Sequence, residues 1–207
     1  RYHVERDLPA VEGTSALSPY LRLGMLSPRL AIASAATRLS PGSAGTSAWL
    51  DELVWREWYL ATLRFGDRPA PVADGEPGWI DDPGDVAAWQ AGETGYPLVD
   101  AGMRQLAETG WMHNRVRMVV ASFLVKHLLC DWRIGERWFM THLVDGDPAA
   151  NRGGWRWVAG VGPDAAPYFR VMNPVAQARR FDPEGAYVRR WVPALREVRG
   201  SAIFEPW

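Results

Sequence analysis

Trp49-Leu50-Asp51-Glu52-Leu53-Val54-Trp55-Arg56-Glu57-Trp58-Tyr59 carries the period of a helix rather than the alternation of a strand. Glu52, Trp55, Arg56 and Tyr59 fall at i, i+3, i+4 and i+7, so they share one face. An acid, an indole, a guanidinium and a phenol make poor core and poor solvated surface. Together they make a good wall for a flat, hydrogen-bonding ligand. The plainer alternative is an amphipathic stripe closed by an internal Glu52–Arg56 pair.

Gly110-Trp111-Met112-His113-Asn114-Arg115-Val116-Arg117-Met118 repeats the pattern. Asn114, Arg117 and Met118 share a face, while Val116, Val119, Val120 and Phe123 serve the core. Asn offers a donor and an acceptor to the edge of a base or flavin, and Met offers a polarizable contact to a flat ring. His113 reads as a structural histidine. With four His and one Cys in the chain, no metal-ligand spacing occurs and no metal is expected.

Outward from these stretches the chain is helical throughout. Ser27-Pro28 starts a helix running toward Leu39, with Ser as N-cap and Pro first. A Gly/Ser/Pro loop follows at 40–47, then a helix from Trp49 to Leu63 that ends at Gly66. Residues 67–95 read as a long loop with one helical turn. Pro97 opens a helix over 97–109, stopped by Gly110. Helices at 112–130 and 134–144, a glycine-rich turn at 145–154 and a helix near 184–196 complete the reading. The expected fold class is all-α, a multi-helix domain with long ordered loops and no sizeable sheet.

The totals are those of an ordinary globular domain: 207 residues, 47% apolar, 23% charged. A net charge of −1 gives no global attraction to nucleic acid, so any such affinity must be local. Lys126 is the only lysine among 23 cationic residues. Arginine suits bidentate phosphate contacts, although GC-rich coding gives the same skew. Cys130, the one cysteine, excludes an internal disulfide and reads as a packed thiol. No apolar run reaches the roughly 20 residues of a membrane span. A cytoplasmic protein, active as a monomer and away from membranes, is the expectation. Arg1 and the closing Phe204-Glu205-Pro206-Trp207 suggest a piece of a longer protein.

Two further stretches carry chemistry. Gly13-Thr14-Ser15-Ala16-Leu17-Ser18-Pro19-Tyr20 sets three hydroxyls ahead of a helical run, which suits a phosphate or simple N-capping. Asp145-Gly146-Asp147-Pro148-Ala149-Ala150-Asn151 brings two carboxylates and an amide together but lacks the later oxygen ligands of a calcium loop. Twelve tryptophans are unusual, yet tryptophan ordinarily packs. The phrases around three of them are more telling: Pro77-Gly78-Trp79-Ile80-Asp81-Asp82, Cys130-Asp131-Trp132-Arg133-Ile134-Gly135-Glu136-Arg137 and Asn151-Arg152-Gly153-Gly154-Trp155-Arg156-Trp157.

These phrases, with Gly13-to-Tyr20, Glu52-to-Tyr59, Thr94-to-Asp100, Gly110-to-Met118 and the stretch from Asp145 through Ala165-Ala166-Pro167-Tyr168-Phe169-Arg170, resemble the photolyase/cryptochrome family. In particular they resemble the flavin-binding helical domain of bacterial class I cyclobutane pyrimidine dimer photolyases, from Tyr2 to Trp207. The resemblance implies one FAD-binding, catalytic helical domain over 1–207. It also implies that the family's N-terminal α/β domain, with its folate or deazaflavin antenna, is absent. FAD, active as FADH⁻, would be held by Tyr2, Thr14, Ser15, Ala16, Leu17, Ser18, Trp49, Arg56, Arg117, Asp145, Gly146 and Asp147, with Asn151 beside the flavin N5. Glu52 would bond the lesion's base edges, Trp55 and Trp157 would wall it, and Asn114 and Met118 would complete the pocket. Arg6, Tyr59, Arg115 and Gln177 would join them in contacting DNA around the flipped lesion. Trp79, Trp132 and Trp155, outermost first, would relay electrons that restore the reduced flavin. Arg152 is assigned no role.

The activity implied is that of a lyase: light-driven electron loan from reduced FAD splits the cyclobutane ring of an extruded dimer, with no net redox change. The (6-4) photolyases place histidines where this chain has Asn114 and Met118. A cryptochrome photosensor keeps the flavin and the tryptophans but loses parts of the lesion pocket. A non-catalytic DNA-binding piece is a third reading, separated from the others by whether flavin is retained.

Overall fold

Capping chemistry sets most of the helix ends. In a computed structural model of the protein, which describes residues 1–38, 43–66, 78–163 and 170–207, the elements in chain order are α1 (Tyr2–Glu5), α2 (Ser18–Arg22), α3 (Pro28–Arg38), α4 (Ala44–Phe65), α5 (Pro83–Ala91), α6 (Pro97–Thr109), α7 (Asn114–Lys126), α8 (Trp132–His142), α9 (Pro148–Ala159), α10 (Pro174–Phe181) and α11 (Ala186–Trp191). Two 3-10 turns follow, at Pro193–Leu195 and Gly200–Ile203. No strand occurs among the described residues, and the fold is all-α as expected.

Several boundaries differ from the sequence reading, each for a local reason. Residues 44–47 are helical rather than loop, because the Ser43 hydroxyl accepts from Thr46 N at 3.2 Å and starts α4 early. Within 67–95, residues 83–91 form a full helix: the Asp82 carboxylate takes the N–H groups of Gly84 and Asp85, Pro83 stands first, and Gly92 closes it at φ 66°. Residues 40–42 and 67–77 lie outside the described residues, as do 164–169 of the stretch ending at Arg170. The helix expected at 112–130 is trimmed to α7, with His113 as its cap and Leu129 turning the chain at φ 54°.

The largest correction concerns 145–154. It is a turn only up to Asp147; from Pro148 onward it is α9. Asp147 accepts from Ala149 N and Ala150 N at 2.9 and 3.0 Å, and Pro148 is pre-set for the first turn. The tail holds two short helices, α10 and α11, rather than one over 184–196. The Asp182 carboxylate orders the second of these by accepting from Tyr187 N and Val188 N, each at 3.0 Å.

Burial is split between two cores. The main one runs from α5 to the C-terminal turns and includes Trp89, Val99, Leu106, Val116, Val120, Leu124, Phe139 and Val188. A smaller one joins α2, α3 and α4 through Leu21, Ala31 and Leu53. Within the main core, Tyr187 donates to Gln105 at 2.6 Å, and that amide oxygen also accepts from His113 N at 3.4 Å. This ties α11 and α6 to the start of α7. The Asp100 carboxylate fixes the turn before α6 by accepting from Thr94 N, Thr94 Oγ1 and Gly95 N.

His113 caps α7 by accepting from Arg115 N at 3.2 Å through Nδ1, an atom that must stay unprotonated to do so. Burial, aided by Arg115 and Arg117 and opposed by Asp7, pushes this imidazole down to about 4. The unfolded ring takes up a proton near its ordinary 6.5 that the fold refuses, so stability falls as pH drops from about 6.5 toward 4. The expected loss across that window, relative to His113→Asn, is up to about 3 kcal/mol. Urea midpoints of both proteins against pH test it, and parallel pH profiles would exclude it.

Candidate functional site

Between the two cores lies a cavity of about 600 Å³, lined by Leu21 and Leu53 of the smaller core and by Phe139, Trp155 and Val158 of the larger. Its size is that of a site for a small molecule or cofactor. Along one side run Thr14, Ser15, Ala16, Leu17 and Ser18. The hydroxyls could have been spent on capping α2, but that helix has no side-chain cap bond. Among the described residues those of Thr14, Ser15 and Ser18 have no protein partner, and they line the cavity. Ala16 is held there at φ 49°, strained for a residue with a Cβ.

Asp145, Gly146 and Asp147 line the cavity across from them. Arg117 reaches from α7 and gives Nη2 to both Asp145 oxygens at 3.0 and 2.9 Å, and Nε to Met112 O at 2.7 Å. Arg22 of α2 donates to Gly146 O at 2.6 Å, drawing the smaller core onto the turn. Nothing in the sequence singled out Arg22. Asn151 also lines the cavity, from α9 rather than from a turn, and its Nδ2 is spent on Glu136 O at 2.9 Å. The amide oxygen and the second N–H of that group are left to a ligand, and neither gives up a proton readily. Tyr2 and Trp49 complete this half.

The two aromatic and polar stripes meet at the same cavity. Glu52, Trp55, Arg56 and Tyr59 come from α4, Asn114, Arg115 and Met118 from α7, and Trp157 from α9. The Glu52–Arg56 pair does not form. Glu52 pairs instead with Arg6 at 2.6 Å, and Arg56 with Glu57 at 2.6 Å. Arg115 is likewise engaged, with Asp7 at 2.9 Å and over the Phe181 ring at 4.4 Å. Four guanidiniums at this cavity, those of Arg6, Arg56, Arg115 and Arg117, are thus each ion-paired. Gln177 does not line it; it lies on α10, one turn before Phe181.

Of the three relay candidates, only Trp155 lines the cavity. It and Trp132 are both buried, at 2% and 3% exposed, whereas Trp79 is half-buried. Trp155 lies against Gly135, one helical turn from Trp132: a Cβ on Gly135 would stand 2.0 Å from its ring. Trp79 is brought to the same end of α8 by a backbone clamp. Ile80 N donates to Leu129 O at 2.9 Å and Asp131 N to Asp81 Oδ1 at 2.7 Å, with Asp81 and Leu129 both at positive φ. Sequence reasoning missed the residues packed behind Trp155. Phe139 and Trp89 sit 5.0 and 6.2 Å from it, and Trp89 fell in a segment read as loop. Gly135 left a legible signal, since a glycine inside a helix marks close approach.

Among the described residues no group of His, Cys, Asp and Glu could hold a metal ion, and no helix is long and apolar enough to cross a membrane. Cys130 is fully buried, and burial with nearby Asp81 and Asp85 pushes its thiol up to about 11. It is the packed thiol expected.

Comparison with known proteins gives a consistent result. Residues 49–207 match the family model described as the FAD binding domain of DNA photolyase. The chain is 52% identical to the deoxyribodipyrimidine photo-lyase of Escherichia coli (strain K12), over 100% of its own length and 45% of that protein's. Among solved structures, a bacterial class III photolyase from Agrobacterium tumefaciens superposes with a TM-score of 0.91 at 46% identity, covering 99% of this chain and 44% of that one. A Synechocystis cryptochrome superposes with a TM-score of 0.88 at 37% identity, covering 100% and 45%. The chain thus spans about half the length of these relatives.

Proposed function

The chain belongs to the family of the FAD binding domain of DNA photolyase, and from that membership we propose that it repairs cyclobutane pyrimidine dimers in DNA with light, holding FAD deep in the seam between its two cores and the extruded lesion at the mouth. The carrying observation is that one cavity gathers an unpartnered hydroxyl row, the Arg117–Asp145 pair and the Glu52, Trp55, Asn114, Met118 and Trp157 side chains. Although the family model begins at residue 49, Tyr2, Arg6 and 14–18 line that cavity too, which supports residues 1–207 as one unit.

When bound and reduced, FAD would supply the photochemical electron loan that opens the cyclobutane ring. The protein positions, excludes water and sets charge. Thr14, Ser15 and Ser18 would hold the pyrophosphate and ribityl chain through their hydroxyls, and Arg117, oriented by Asp145, would meet the flavin. Asn151 would present a neutral amide that does not readily give up a proton. Glu52 accepts from the base N–H groups of the lesion and is fixed by Arg6 while doing so. Trp55 and Trp157 flank the bases, and Met118 fills the remaining apolar contact. Extrusion is cheap for a pair of bases that already stack and pair badly. Trp79, Trp132 and Trp155 would pass electrons from an external reductant inward to restore the reduced flavin.

Blue-light repair of an oligonucleotide with one cyclobutane thymine dimer, using flavin-loaded and pre-reduced protein, tests the reading, with a (6-4) lesion as control. Repair of the dimer alone is expected. Flavin retention without repair of either lesion would overturn it and favour a photosensor, the role suggested by the cryptochrome likeness. Glu52→Gln, which keeps the shape but loses the carboxylate and its Arg6 pair, should weaken binding of the dimer-containing duplex about tenfold. Binding of undamaged duplex should change little.

A further inference from the structure

A second cavity, of about 220 Å³, opens between α4 and α9. Tyr59 and Trp157 line both cavities, so the smaller one adjoins the proposed lesion pocket across those two side chains. Trp58 and Thr62 line it from α4, and Arg152 and Arg156 from α9. Trp58 is held edge-on by two neighbours, with Trp55 at 5.5 Å and Tyr59 at 5.0 Å between ring centroids. Gly153 sets how closely the two helices approach, since a Cβ there would stand 2.1 Å from the Tyr59 ring. Arg170 lies over the ring of Trp157, one of the two residues common to both cavities, at 5.3 Å.

The two cavities differ in charge. Arg6, Arg56, Arg115 and Arg117 of the larger one are each ion-paired and Arg22 donates to Gly146 O, whereas Arg152 of the smaller one has no carboxylate partner among the described residues. With a net charge of −1 on the chain, positive potential must come from such local groups. Guanidiniums beside aromatic faces suit an anion joined to a flat ring. The volume lies below the 300 Å³ or so at which sites for whole small molecules begin, which favours a single ring system over a pair.

We propose that this second cavity receives one nucleobase neighbouring the extruded lesion, stacked on Trp58, with its phosphate held by Arg152. The inference rests on the repair reading above. Extruding two bases leaves their neighbours short of stacking and pairing partners, and an aromatic platform sharing two walls with the lesion pocket offers a replacement. The base comes either from the lesion strand or from the strand opposite; the chemistry is the same, and the test separates the two.

The test is a cycle between protein and DNA. Flavin-loaded wild type and Trp58→Leu are titrated with a duplex holding one cyclobutane thymine dimer. Four further duplexes carry an abasic site at the 5′ neighbour, the 3′ neighbour or either opposite position. At one position, removing the base should weaken the wild type about tenfold and leave Trp58→Leu unchanged. That position identifies the strand. Arg152→Gln, an exposed change that leaves the core alone, should reduce the salt slope of binding by about one. Equal abasic effects in both proteins at all four positions, with the preference for the dimer intact, would overturn the second-site inference and leave the repair reading standing. Loss of any preference for the dimer in the wild type would overturn both. An unchanged salt slope in Arg152→Gln would remove the phosphate contact from the proposal.

Discussion

Arg117→Ala should lower the stability of the ligand-free protein by about 3–5 kcal/mol, the cost of stripping the partner from a buried charge. The Asp145 side chain is 3% exposed, and both of its oxygens accept from Arg117 Nη2. Removing the guanidinium leaves that carboxylate in a cavity wall with no cation to offset its desolvation. It also frees Met112 O, which accepts from Arg117 Nε at 2.7 Å. If the burial of Asp145 is the cause, the double variant Arg117→Ala/Asp145→Asn should be more stable than Arg117→Ala alone, because the neutral amide tolerates the site. Arg117→Lys should fall between, since an ammonium cannot reach three acceptors in fixed directions as the guanidinium fork does. Urea denaturation of the four proteins decides the matter. A loss below about 1 kcal/mol for Arg117→Ala would place the pair among solvated surface bridges and remove it from the proposed flavin wall. The same variant should lose FAD on gel filtration, while Asp145→Asn retains part of it.

How much of this was legible depended on how local the physics was. The bounds of α6 follow from its ends, Pro97 at the first position and Gly110 in the left-handed conformation after the last. The stripes that line the cavity were legible because helical period alone fixes which side chains share a face, as it did for Glu52, Trp55 and Tyr59. The reading failed where composition and capping disagreed. Two adjacent glycines argued against a helix at 148–154, yet Asp147 and Pro148 start one, and packing of Gly153 on Tyr59 recovers what the glycines cost. The same conflict hid α5, whose Asp82-Pro83 start and Gly92 stop stood in a Pro- and Gly-rich segment. Partnerships across the chain were out of reach. No period links Arg6 to Glu52 or Arg115 to Asp7, and those pairs decide which cations remain available to a ligand. Roles for the cofactor and the tryptophans came from family resemblance, which periodicity could not have supplied.

Gly135→Ala should be the most damaging single-methyl change near the tryptophans, lowering stability by about 3 kcal/mol through overpacking. The added Cβ would lie 2.0 Å from Trp155 Cη2 and 2.5 Å from both Cζ2 and Cζ3. No rotation of a methyl relieves this, so either α8 and α9 separate or the indole tilts. Trp155 is packed edge-on to Phe139 and Trp89, which blocks small adjustments on its far side. A tilt would therefore also disturb the proposed path from Trp132, which lies on the helix that carries the methyl. Light-driven reduction of the oxidised flavin should slow, whereas repair by chemically pre-reduced protein should persist, because the proposed relay would serve only to restore the reduced state. Trp155→Phe gives the reference for a broken relay in a core that is underfilled rather than overfilled. Gly154→Ala gives the opposite control: its Cβ meets nothing within 4 Å, and the gain in helix propensity should stabilise the protein by about 0.5–1 kcal/mol. Should Gly135→Ala prove as stable as the wild type, α8 and α9 must be free to part, and the close seating of Trp155 on α8 would no longer account for the glycine. Should it lose stability yet reduce its flavin at the wild-type rate, the packing argument would stand and Trp155 would be removed from the relay.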